Sequence, residues 1–336
     1  MKYNIYIILS LILTILILSS CSKTTASSQA VISSGSDINS ESKNHGTEMN
    51  KNADWGSLYE YVDAKGFVDN YGNSYGDDGI VITRYIGTET IVYVPSEIDG
   101  QKVAGNVDNA FYKINDEENA EQEFIFDIKE LYFSDDYPDV NCGLFNLCKS
   151  LEYIELPKAQ KTIQAFSFKG CENLKGITCY ESLESIEKEA FHGCESLTEF
   201  EFNNGLKTIG DEAFGYCEKL ESLDLPDTVE SMGNSVFKCC NSLTEISIPG
   251  SIQIIPKRAF FGCKNLQKVN LSEGIQEIGD EAFSICESLK DIYIPDSVTK
   301  ISVKAFDRDT DLVIHCSKDS YAMKFAAENS LKCSES

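Results

Sequence analysis

Cysteine, histidine and the carboxylates are the residues with which this chain could do chemistry, and their spacing decides which kind. There are 13 Cys but only three His (His45, His192 and His315) among 336 residues. So few imidazoles limit His-based catalysis and His-ligated metal sites from the outset. Thiols could serve as disulfide partners, nucleophiles or zinc ligands. Seven of them, Cys148, Cys171, Cys194, Cys217, Cys240, Cys263 and Cys286, are each 23 residues apart. One Cys per repeat at a fixed phase is what a small buried hydrophobe looks like. Seven cannot all pair with one another, no His accompanies them, and no C-x-x-C spacing occurs. Cys179 falls in the register that Leu225 fills two repeats later, and so reads as a core residue too.

The remaining candidates are weaker. The 54 Asp and Glu outnumber the 29 Lys and Arg, for a formal charge of −25. Such a surface supplies neighbouring carboxylates by default, so their proximity is no sign of glycoside chemistry. The charge argues against nucleic acid, whose phosphates require clustered Lys and Arg, and it permits a basic partner. The stretch from Asp69 to Gly79 is rich in Asp, Asn and Gly but lacks the alternating oxygen ligands and distant Glu of an EF-hand loop. It reads as a Gly-rich turn before the strand that starts at Ile80. No G-x-S-x-G, phosphate-binding loop or H-E-x-x-H occurs. The expectation is a protein that is not an enzyme, with no cofactor and no metal.

One cysteine stands apart. Residues 1–20 carry Lys2, an apolar run from Ile5 to Leu18, and then Ser19-Ser20-Cys21. A short basic start, an apolar stretch and a small-residue end fit an export signal rather than a membrane span. The Leu18-Ser19-Ser20-Cys21 end resembles the lipobox of bacterial lipoproteins. That resemblance implies cleavage before Cys21 and a diacylglycerol on its sulfur, hence a membrane anchor. Residues 21–54, rich in Ser, Thr, Asn and Lys, cannot bury enough apolar area to offset chain entropy and read as a flexible tether. Trp55, the only tryptophan, marks the change to a folded composition.

The elements that position everything else follow from the same period of 23. Phe145, Phe168, Phe191, Phe214, Phe237, Phe260, Phe283 and Phe306 keep it. So does the Leu series from Leu151 to Leu312, and the series Ile163, Ile186, Ile209, Met232, Ile255, Ile278 and Ile301. Within a unit such as Ile209–Pro226, Leu223 and Leu225 alternate with Ser222 and Asp224. That alternation indicates a short strand with one buried face, which Pro226 ends. Asp211–Cys217 is expected as a short helical or 3-10 return. A single unit cannot enclose a core, whereas stacked units bury one another in a parallel ladder at ~4.8 Å per repeat, on the order of 40 Å in all.

This pattern resembles the BspA-type leucine-rich repeat of bacterial and protozoan surface proteins, in which I-x-x-A-F-x-x-C-x-x-L-x-x-I-x-I-P recurs. The implied fold is an α/β leucine-rich-repeat solenoid, with short parallel strands, helical returns and a cap at each end. Residues 55–110 would form an N-terminal strand and cap region, with Ile80–Gly87 and Tyr93–Val103 as its entry hairpin and first strand. Residues 111–311 would be the repeats, with an acidic insertion near 112–124, and residues 312–336 the C-terminal cap. Cys316 and Cys333 both fall in this closing segment, where a disulfide would close a short loop.

Phase also assigns the outward strand positions. One row runs Glu130, Tyr153, Gly176, Glu199, Ser222, Glu245, Lys268 and Asp291. The next runs Tyr132, Glu155, Thr178, Glu201, Asp224, Ser247, Asn270 and Tyr293. Together they offer many carboxylates, one Lys, and Tyr near both ends. Such a face either recruits a basic or polar protein surface, with Tyr132, Tyr153 and Tyr293 as anchors, or is simply kept polar for solubility. The family resemblance implies a lipid-anchored surface protein that adheres to host or neighbouring-cell proteins. An envelope scaffold without a host ligand is the alternative.

Overall fold

The structure, a computed structural model, describes residues 54–69, 74–107, 110–111, 113–114, 124–125, 127–138, 140, 145–306 and 311–335. The apolar leader, Cys21, the tether through residue 53, Cys142 and most of the insertion lie outside them. Of the described residues, Val68, Asp69 and Ser74 belong to one unit, with an antiparallel bridge between Val68 and Ser74, and the rest to a second. All that follows concerns the second.

The 23-residue period winds this unit into a parallel-strand β-solenoid of about ten turns. Alternating apolar residues at two places per coil make two ladders. The front ladder begins with Ile91–Val94, Glu130–Phe133, Tyr153–Glu155 and Gly176–Thr178 in that spatial order. It resumes with Glu245–Ile248, Lys268–Leu271, Asp291–Tyr293, Val313–Cys316 and Lys332–Glu335. The back ladder uses two-residue strands, from Thr162–Ile163 to Ser231–Met232 and again from Ile254–Ile255 to Lys300–Ile301. Ile154 faces Ile177, and Ile163 faces Ile186, each one period on. The Phe series is buried and stacks ring on ring from Phe145 to Phe306 at centroid distances of 5.1 to 5.8 Å.

The returns differ from the expected helical turns. Asp211–Tyr216 forms non-helical turns in which backbone donors alternate. Ala213 and Gly215 N–H groups bond three residues back, to Gly210 and Glu212 carbonyls. Those of Glu212, Phe214 and Tyr216 instead reach Asn234, Val236 and Lys238 on the next coil. Left-handed residues impose this alternation, one series being Phe166, Glu189, Glu212, Ser235, Arg258 and Glu281, all at positive φ. A second is Leu147, Gly170, Gly193, Tyr216, Cys239, Gly262 and Ile285. A residue at positive φ cannot continue a right-handed helix. The solenoid therefore holds very little helix and is not an α/β layer fold. Among the described residues helix is confined to a 3-10 turn at Trp55–Ser57 and the α-helix Tyr321–Glu328.

The front ladder lapses in the very unit whose sequence looks most regular. Leu220, Leu223 and Leu225 are buried, yet that coil contributes only a bridge from Asp224 to Ser247. The preceding coil explains this. It carries Phe200 and Phe202 where its neighbours place Ile177 and Cys179 or Leu223 and Leu225. Phe200 packs edge-on against Phe191 and Phe214, and Phe202 against Phe214. Two rings at consecutive inward positions need more room than the ladder spacing allows. Among the described residues, Thr198–Phe202 makes a single backbone bond to a neighbouring coil, from the Glu221 N–H to the Thr198 carbonyl at 3.0 Å.

At the ends, Ile80–Tyr85 pairs in parallel with Gln101–Asn106 and antiparallel with Tyr59–Asp63. The hairpin joins Glu97–Ile98 to Gln101–Asn106 through Asp99-Gly100, both at positive φ as a tight hairpin turn requires. The insertion is bracketed by the antiparallel pair Lys113–Ile114 and Phe124–Ile125. The helix Tyr321–Glu328 starts where the Ser320 side chain accepts the Met323 N–H, and its buried Phe325 ring meets Phe306 edge-on. Among the described residues no helix is long and apolar enough to cross a membrane.

Candidate binding face

The front ladder sets the two outward rows side by side, and the structure divides them into three zones. In the N-terminal zone the tyrosines touch. Tyr93 stacks on Tyr132 at 5.1 Å and 19°, and Tyr132 lies 5.5 Å from Tyr153. Each of the other hydroxyls is tied down. Tyr132 donates to the Glu130 carboxylate at 2.6 Å, Tyr180 donates to Glu155, and Tyr153 bonds Thr178. Tyr132 is only 6% exposed and Glu155 5%, so these two expected surface residues are supports beneath the face. Burial, and then the bond to Glu130, hold the Tyr132 hydroxyl far above the usual phenol range.

In the central zone the carboxylates stand alone. Glu199, Glu201 and Asp224 are exposed, and among the described residues none has a side-chain hydrogen bond or ion pair. They belong to the two coils where the ladder lapses.

In the C-terminal zone every charge has a partner. Glu245 accepts from Lys268 Nζ at 2.8 Å and from Asn270 at 3.0 Å, which lowers its carboxyl pKa. Asp291 Oδ1 lies 2.7 Å from His315 Nε2. Tyr293 is 36% exposed, but His315 stacks on it at 4.4 Å and 11°, and Lys268 Nζ lies over its ring at 5.6 Å. Its faces are therefore occupied, unlike an open anchor.

Reading by phase missed three contributors. Tyr93 is separated from Tyr132 by the insertion, which breaks the period. Tyr180 stands where other repeats carry Pro157, Pro226, Pro249 and Pro295, and that exception was its visible signal. His315 pairs with Tyr293 at a spacing of 22 residues, one short of the period. Cys316 and Cys333 are both thiols in the structure. Parallel register places Cys333 opposite Ile314 and Cys316 opposite Glu335, so the two are diagonal neighbours. The Cys333 thiol donates to Met323 Sδ at 2.7 Å.

Nothing among the described residues gathers three His, Cys, Asp or Glu as a metal would need. Two open depressions of about 490 and 560 Å³ lie along residues 181–184 and 185–188 and their neighbours on the next coils, lined without His or Cys.

Comparison with known proteins fits this geometry. A repeat profile described as the BspA type leucine rich repeat region matches six copies, over residues 138–241 and 184–313. The chain belongs to the BspA-type leucine-rich repeat family. Leucine-rich repeat proteins are in general protein-binding scaffolds rather than enzymes. No curated protein matches the chain. A leucine-rich repeat protein of Bacteroides ovatus is similar at 25% identity and a TM-score of 0.57, over 83% of this chain and 66% of that one. TpLRR, a leucine rich repeat protein of T. pallidum, aligns at 26% identity and a TM-score of 0.46, over 69% and 88%. A leucine rich cell surface protein of Faecalibacterium prausnitzii aligns at 20% and 0.37, over 78% and 94%.

Proposed function

We propose that this BspA-type protein is a lipid-anchored cell-surface adhesin whose strand face binds a basic protein partner. The observation that carries the reading is the contrast along the face. Glu245 is matched by Lys268 and Asp291 is hydrogen-bonded to His315, whereas among the described residues Glu199, Glu201 and Asp224 have no side-chain partner. Three unmatched carboxylates repel one another, and a cationic partner relieves that repulsion. Tyr153 and the rings behind it give the partner an aromatic surface at one flank, where interfaces favour Tyr. Residues 55–110 and residues 312–336, which include the helix Tyr321–Glu328, serve as end caps that cover the apolar layer of the terminal rungs. Cys21 carries the lipid, residues 22–54 act as the spacer, and the Cys316–Cys333 pair is available for oxidation outside the cell.

The test is charge reversal. Glu199→Lys, Glu201→Lys and Asp224→Lys together weaken binding to purified basic host-surface or cell-surface proteins at least tenfold at low salt, read by biolayer interferometry. Unchanged affinity would remove the reading. Loss of lipid labelling in Cys21→Ala, and protease accessibility on intact cells, separate an outward-facing adhesin from an envelope scaffold.

A further inference from the structure

The N-terminal flank carries a more specific feature than acidity. Tyr153 does not stand upright in its own coil. Its hydroxyl bonds Thr178 on the next coil, so the ring crosses the gap between the two. The neighbouring outward position is Gly176, and the ring lies over it. A Cβ there would meet Tyr153 Cδ2 at 3.4 Å and Cε2 at 3.6 Å. The ring thus covers the glycine backbone, an arrangement that fixes the aromatic plane. Tyr132 backs it on one side at 5.5 Å and is in turn backed by Tyr93. Beyond Gly176 the row continues with the exposed Glu199, and the adjacent row continues past Thr178 with the exposed Glu201. A half-exposed, tethered ring therefore ends one coil short of two carboxylates that, among the described residues, have no side-chain partner.

We propose that the Tyr153–Gly176 shelf, with Glu199 and Glu201 beyond it, receives an arginine side chain from an extended segment of the protein partner. The inference rests on the basic-partner reading above and narrows it to one residue type. A guanidinium is planar, so it stacks on a ring face while its edge pairs with a carboxylate in two parallel bonds. A lysine ammonium is a compact, strongly hydrated point charge and uses only the Coulombic part of the site. The C-terminal end offers no equivalent, since His315 and Lys268 already occupy Tyr293.

Fluorescence anisotropy with two labelled peptides, alternating Gly-Arg and alternating Gly-Lys of equal length, tests the proposal at low salt. The expected result is a preference for the Arg peptide of about two- to fivefold, the size of an exposed cation–π contact. Tyr153→Ala abolishes that preference, and Tyr153→Phe, which keeps the ring, retains it. Glu199→Gln, at an exposed position, weakens the Arg peptide more than the Lys peptide. Equal affinity for the two peptides, or a preference that survives Tyr153→Ala, overturns the proposal. If the preference is absent while the Glu199, Glu201 and Asp224 reversals still abolish binding, the shelf falls and the basic-partner reading stands. If neither peptide binds and the reversals change nothing, both fall.

Discussion

At the scale of single residues, the cysteine ladder does more than fill space. Six of the seven ladder thiols donate to the carbonyl of the Phe one coil back, among them Cys171 to Phe145 at 2.9 Å, Cys194 to Phe168 at 3.1 Å and Cys286 to Phe260 at 3.1 Å. A small apolar side chain with one weak donor suits a buried carbonyl better than Ala, which lacks the donor, or Ser, which is more costly to desolvate. The burial of these thiols was legible from their period. Their donor role was not, because donor and acceptor lie 26 residues apart and meet only once the coils stack. Burial pushes the Cys263 thiol up to about 12, and those of Cys171, Cys194 and Cys240 well above their ordinary value. Since the thiolate is the reactive form, the ladder should resist a thiol reagent at pH 8 in the native protein and react fully in denaturant. Among the described cysteines, the half-buried Cys239 and Cys333 should react first, and rapid native labelling of Cys217 or Cys240 would contradict the burial. Gly193 offers a backbone counterpart. At φ 76°, with the nearest atom 3.7 Å from an added Cβ, Gly193→Ala meets no steric obstacle. It should still cost about 1 kcal/mol, measured by urea unfolding, because the left-handed conformation penalises any Cβ.

At the scale of elements, the strands were legible and the returns were not. Alternation of apolar residues fixes a strand locally, whereas the returns depend on N–H groups captured by the next coil, as Phe214 is by Val236. Gly170, Gly193 and Gly262 hinted at left-handed geometry, but Leu147, Tyr216 and Ile285 share that register and hid it. The lapse of the front ladder was visible only as Phe200 and Phe202, and the size conflict appears once their neighbours are in place. Hydrogen exchange should show it directly. Amides of Glu199–Phe202 should exchange far faster than those of Ile246, Val269 and Ile292, and Phe200→Ile with Phe202→Leu should slow them. Between coils, ion pairs such as Lys175–Glu152 at 2.6 Å and Lys207–Glu184 at 2.8 Å repeat with the period. Their Lys partners hold Glu152 and Glu184, and the Arg258 bond holds Glu281, below the ordinary carboxyl value. A carboxyl depressed in the folded state adds stability above its unfolded pKa of ~4.3. That stability is lost as pH falls through the folded value. Burial likewise lowers His192, so its protonation opposes folding in the same direction. The thermal midpoint should therefore fall as pH drops below about 4.3, with only the smaller His192 contribution between there and neutrality. Because the carboxylate pairs are exposed, salt should flatten the acid limb.

At the scale of the whole repeat array, stability is close to a sum of coils and the interfaces between them. The central interfaces are unusual, because the front strands lapse there and the back ladder breaks between Ser231–Met232 and Ile254–Ile255, while the ring stack and the bonds between returns persist. Phe214 still stacks on Phe191 at 5.1 Å and on Phe237 at 5.6 Å, and Thr208–Ile209 still pairs with Ser231–Met232. The same coils carry the unmatched Glu199, Glu201 and Asp224, so the least bonded strand backbone and the least compensated charge coincide. The ring stack then carries most of the coupling between the two halves of the array. Phe214→Ala should cost about 3–5 kcal/mol, as any large core truncation does. It should also do something Phe306→Ala, at the last rung beside Phe325, does not. Removing a terminal ring lets one end fray and leaves the rest cooperative. Removing the central ring should uncouple the halves, so that urea unfolding broadens into two steps with a lower apparent m-value. A single sharp transition for Phe214→Ala, shifted but with m unchanged, would mean that the bonds between returns, such as those from the Ser235 and Phe237 N–H groups to the Lys257 and Ala259 carbonyls, suffice to join the halves.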